Sequence, residues 1–63
     1  LTSRQLEVLE LVARGLSNAA IAERLFVSKK TVEHHVSAVC AKLGVDSRAA
    51  AVVAAQQLGV LEI

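Results

Sequence analysis

The side chains able to do chemistry crowd into one stretch of the chain. His34 and His35 are adjacent, Cys40 follows, and Lys29 and Lys30 stand just ahead of them behind Ser28. Three chemistries deserve testing on this set: metal binding, nucleophilic catalysis and anion binding. Neighbouring residues on a helix point about 100° apart, so His34 and His35 do not chelate one ion, as two histidines four apart on one face would. A Cys–His nucleophile needs a pocket and a device to hold an oxyanion, and no segment of this chain suggests either. The sequence therefore predicts no metal, no cofactor and no enzyme. Anion binding fits better. A Ser at a helix start, followed by two lysines, puts free N–H groups, the positive dipole end and two cations at one place, which suits a phosphate.

That set has to be positioned by helices. Proline is absent, and Ala, Leu, Glu and Arg are common, which favours helix. Thr2 caps a first helix with Gln5 completing a capping box, and Leu1 and Leu6 stand at the two staple positions. Leu6, Leu9, Val12, Ala13 and Leu16 give an apolar stripe, and Gly15 ends the helix. Ser17 caps a short second helix with Ile21, Ala22 and Leu25 inward. Phe26 and Val27 form an apolar turn. Ser28 caps a third helix, about 29–43, that stops at Gly44. Ser47 caps a fourth, rich in Ala and Val, that stops at Gly59. The fold class expected is all-α, four helices, in one domain covering 1–63. A short helix, a tight turn and a longer helix make a helix-turn-helix, with the third helix standing proud of the body.

On that third helix Val36, Val39 and Leu43 fall within about 40° of Val32 and form the inner stripe, with Val36 at its centre. Lys30, His34, Ser37 and Ala41 lie opposite, Glu33 on one flank, Thr31 and Lys42 on the other. The outer face is polar but small from Ser37 onward, which allows close approach to a duplex. His35 and Cys40 sit beside the packed stripe and read as structural residues.

Charge supports the same face. The net charge is only +1, but it is uneven. Residues 1–23 carry two Arg against three Glu, while residues 24–48 carry five basic groups against Glu33 and Asp46. A basic middle is the footprint of an element facing phosphate. With a single cysteine, no disulfide within the chain can staple so small a core. The lone thiol, the absence of a basic-then-apolar leader and the lack of a long apolar run predict a cytoplasmic protein with no membrane contact. A chain without Met is expected to be part of a longer one.

The ordered motifs resemble a known family. Leu1-Thr2-x-Arg4 with Val8-Leu9, Gly15-Leu16-Ser17-Asn18 and Ile21-Ala22 resemble the opening half of LuxR/FixJ-type DNA-binding domains. Val27-Ser28-x-x-Thr31-Val32-x-x-His35-Val36 resembles their turn and recognition helix, and Lys42-Leu43-Gly44-Val45-x-Ser47-Arg48 with Ala51-Val52 and Ala55 resembles the closing half. The resemblance implies a bacterial transcription regulator whose third helix enters the major groove of double-stranded DNA. By position it implies base contacts from Glu33, His34 and Ser37, and phosphate contacts from Asn18, Ser28, Lys29, Lys30, Thr31 and Lys42. It also implies a homodimer through the fourth helix and an upstream sensor or receiver domain. Within that helix Ala51, Ala55 and Leu58 are expected inward, and Ala49, Val53, Gln56 and Gln57 at the dimer interface. Ala19, Ala20 and Ala50 stand where the family commonly has charged residues, Gln5 replaces its usual Glu, and Glu33 replaces a common Lys. That last change sets an anion near DNA and suits hydrogen bonding from cytosine N4. Two rival readings are a helical module that binds a protein partner and a sigma-factor promoter-recognition domain. The first has no need of lysines at the head of an outward helix, and the second usually carries more Arg and Lys along it.

Overall fold

Every helix begins where a hydroxyl can accept an otherwise unpaired N–H. In the computed structural model, which describes residues 1–61, the elements are α1 (Ser3–Ala13), α2 (Asn18–Leu25), α3 (Lys29–Leu43) and α4 (Arg48–Gln57), with no strand among the described residues. The Thr2 hydroxyl accepts from the Gln5 N–H and the Gln5 side-chain oxygen accepts from the Thr2 N–H, both at 3.1 Å, so the capping box is complete. Ser17, Ser28 and Ser47 cap the other helices at 3.2, 3.1 and 3.1 Å. Each such cap contributes about 1 kcal/mol.

All four helices end the same way. A six-residue backbone bond closes each one: Leu16 N–H to Leu11 C=O, Val27 to Ala22, Val45 to Cys40 and Val60 to Ala55. This closure needs one residue in the left-handed region. Gly15, Gly44 and Gly59 supply it three times, and Phe26 supplies it at the end of α2 with φ 57°. Phe26 is 95% exposed, so no burial offsets the strain. The expected apolar turn thus splits: Val27 packs on the core and Phe26 points into solvent. Left-handed geometry costs an L-residue about 1–2 kcal/mol, and glycine's extra freedom in the unfolded chain takes back part of any relief. Phe26→Gly should therefore stabilise the chain by about 0.5–1 kcal/mol, read as a raised urea midpoint at constant slope. A midpoint at or below the parent's would mean that Phe26 makes a contact worth more than its strain.

The core is two clusters sharing α3 as a wall. Val8, Leu11, Ile21, Ala22 and Val32 join α1, α2 and α3. Leu9, Val39, Ala51, Ala55 and Leu61 join α1, α3 and α4. The inner stripe of α3 is therefore deepest at Val32 and Val39, while Val36, expected at its centre, is half-buried where the clusters meet. The expected α1 stripe caught Leu9 but not Val8 or Leu11. Helix α1 packs on three neighbours, so it buries a wider arc than a single stripe. Leu58 corrects an expectation outright. It is 69% exposed instead of packed inward. The chain turns back at Gly59, the Leu61 N–H reaches the Ala55 carbonyl at 3.3 Å, and Leu61 fills the space beneath α4.

Candidate nucleic-acid interface

Only Phe26, Val27 and Ser28 separate α2 from α3, the short turn of a helix-turn-helix. Val32 locks α3 against Ile21 and Ala22 of α2 from inside. The opposite side of α3 is left open: Lys30, Glu33, His34, Ser37 and Ala41 are all exposed, as are Lys29 and Lys42. The structure thus brings Glu33, His34 and Ser37 together on one outward arc, with Lys29 and Lys30 at one end of the helix and Lys42 at the other. His35 and Cys40 are half-buried, and the Cys40 thiol donates to the Ser47 carbonyl at 3.6 Å. Among the described residues no group of three His, Cys, Asp or Glu side chains could hold a metal.

Two of the expected phosphate contacts are coupled. The Ser28 and Thr31 hydroxyls lie 2.9 Å apart, and the Ser28 oxygen also accepts the Thr31 N–H. One hydroxyl must donate to the other, so the pair offers a single O–H to a ligand where the sequence suggested two.

Asn18 is half-buried and its side-chain oxygen is occupied. Arg48, the first residue of α4, donates to it at 2.8 Å and to the Leu16 carbonyl at 3.1 Å. Sequence reasoning gave Arg48 no role. The signal was available: a cation in the first turn of a helix opposes the dipole, so its presence there calls for a tertiary partner. Asn18, Arg48, Glu33 and Ser37 line one open groove between α3 and the α3–α4 loop. The dimer residues expected on α4, Ala49, Val53, Gln56 and Gln57, are all exposed. No helix among the described residues is long and apolar enough to cross a membrane.

A short helix, a three-residue turn and a longer helix with a polar, outward face define a helix-turn-helix domain. Residues 1–55 match the family described as bacterial regulatory proteins, luxR family. Proteins named oxygen regulatory protein NreC, from Staphylococcus aureus strains JH9 and USA300, are 52% identical over 48 residues, covering 76% of this chain and 22% of theirs. The chain therefore spans about a fifth of the length of these curated relatives. The response regulator ChrA of a heme-sensing two-component system superposes with a TM-score of 0.94 at 43% identity, covering 97% of this chain and 30% of that one. The transcription factor GerE superposes with a TM-score of 0.93 at 39% identity, covering 98% and 92%. The chain belongs to the luxR family of bacterial regulatory proteins, a family of DNA-binding domains that regulate transcription and not of enzymes.

Proposed function

We propose that this chain is the C-terminal output domain of a longer cytoplasmic regulator and binds double-stranded DNA sequence-specifically, with α3 in the major groove. Residues 1–63 form that one domain, and a receiver or other sensor domain precedes it, in keeping with its likeness to the response regulator ChrA. The observation that carries the reading is the two-sidedness of α3: Val32 and Val39 are almost wholly buried while the side facing away from them is polar and open. A groove about 12 Å wide admits one helix. Lys29 and Lys30 stand about 18 Å along the axis from Lys42, enough to reach phosphates on both walls. Between them Glu33, His34 and Ser37 face the base edges, with Glu33 suited to accept from a cytosine N4. Asn18 and the Ser28–Thr31 pair complete the phosphate contacts. Two copies pair through α4.

The proposal is tested by measuring duplex affinity against salt for the parent and for Lys30→Ala. The parent should bind with a steep salt dependence. The variant should bind all sequences more weakly and lower the slope by about one. A parent with no duplex affinity at low salt overturns the reading. A variant that loses sequence preference with its slope unchanged moves Lys30 from the phosphates to the bases.

A further inference from the structure

Helices α2 and α4 do not pack against each other; α1 and α3 lie between them. Arg48 nevertheless bridges the two, bonding the Asn18 side chain and the Leu16 carbonyl. Both acceptors are neutral. Arg48 forms no ion pair among the described residues, although Glu33 and Asp46 line the same groove. Half-buried, it thus carries its positive charge beside the outward face of α3 without being locked in an ion pair.

Guanidinium nitrogens only donate, so the Asn18 amide has a single workable orientation: its oxygen faces Arg48 and its NH2 group is turned away. No hydrogen bond of that NH2 group is made among the described residues. An amide side chain at a helix start ordinarily rotates freely between its two orientations and loses entropy when a ligand fixes one. Here the orientation is set in advance. We propose that Arg48 is a positioning residue that holds the Asn18 NH2 group toward a DNA phosphate and adds its own charge behind it. The two residues then act as one unit, and the first residue of the helix that carries the dimer surface also sets a DNA contact on α2. This rests on the reading of the chain as a duplex-binding domain.

The test compares Asn18→Asp, Asn18→Ala, Arg48→Lys and the double variant Asn18→Ala/Arg48→Lys with the parent. Binding to a fluorescein-labelled random-sequence duplex is measured by anisotropy, and urea unfolding is followed in parallel. Asn18→Asp keeps the acceptor for Arg48, so it should unfold at or above the parent's midpoint. It removes both N–H donors and adds an anion, so duplex affinity should fall about tenfold or more. Arg48→Lys keeps the charge but loses the planar fork that reaches both acceptors. It should weaken binding, and Asn18→Ala should cost much less in that background than in the parent. Asn18→Asp binding like the parent, or single losses that simply add in the double variant, would overturn the inference. If Arg48→Lys fails to fold, the two Asn18 variants still decide whether the amide donates to DNA. A parent that binds no duplex defeats the DNA reading itself, whereas a parent that binds alongside an unaffected Asn18→Asp defeats only the positioning role.

Discussion

Val32→Asp is expected to abolish cooperative folding and DNA binding together. Val32 is fully buried where α1, α2 and α3 meet, against Val8, Leu11, Ile21 and Ala22. Removing the valine forfeits about 1.5–3 kcal/mol of apolar burial. Burying a carboxylic acid without a partner adds at least about 1–3 kcal/mol in its neutral form, and more if it stays ionised. A domain of this length holds about 3–9 kcal/mol in total, so the two losses consume most or all of it. Val36→Asp is the informative comparison. Val36 is half-buried, so a carboxylate there keeps part of its hydration, and the variant should still melt cooperatively at a lower temperature. Circular dichroism melts of both variants check this. A Val32→Asp chain with a single transition near the parent's temperature would show that α3 is not the shared wall of the core, and the orientation of its outer face would fall with it.

What could be read from the sequence follows the range of each interaction. The four caps were legible because each is a side chain bonding an N–H three residues away, as in Ser28 to Thr31. The period of α3 correctly separated its inner and outer faces. It could not rank depth, because Val32 and Val39 serve different clusters and Val36 falls between them. Leu58 was misplaced since continuing the helical period past Gln57 ignores the reversal at Gly59, which sends Leu61 into the core in its place. Phe26 and Val27 read together as one apolar turn, yet the α2 closure puts Phe26 in the left-handed position, where its side chain leaves the body. Arg48 and Asn18 lie 30 residues apart, and no local pattern pairs them. The outward set Glu33, His34 and Ser37 was visible as a face. Dividing it into base and phosphate contacts depends on the shape of the DNA, which no contact within the chain records.

Val53→Asp is expected to leave the monomer intact and remove cooperative loading on DNA. Val53 is 52% exposed and shares its side of α4 with exposed Ala49 and Gln57. Arg48 is the one charged residue of α4, and it is bonded to Asn18 and Leu16. Exposed Leu58 and Val60 follow where the helix ends and extend the apolar character of this end of the chain beyond the residues expected from the sequence. Two copies of such a helix could approach closely about a two-fold axis with no charge to desolvate, and so small a contact would make a weak dimer for DNA to reinforce. The longest dimension of one chain is 29 Å, and half-sites one turn apart are centred about 34 Å from each other. On the proposed reading one copy would occupy one half-site, and an inverted repeat would take two. An exposed Val→Asp change typically costs the monomer no more than about 0.5 kcal/mol. Across a two-fold axis the same change faces a carboxylate with its own copy, which opposes pairing by repulsion and by lost hydration. Titrating a duplex carrying two inverted half-sites should show two parent copies loading cooperatively, whereas Val53→Asp should load them independently with a melting temperature within about 4 °C of the parent's. Unchanged cooperativity in that variant would mean that another surface joins the two copies.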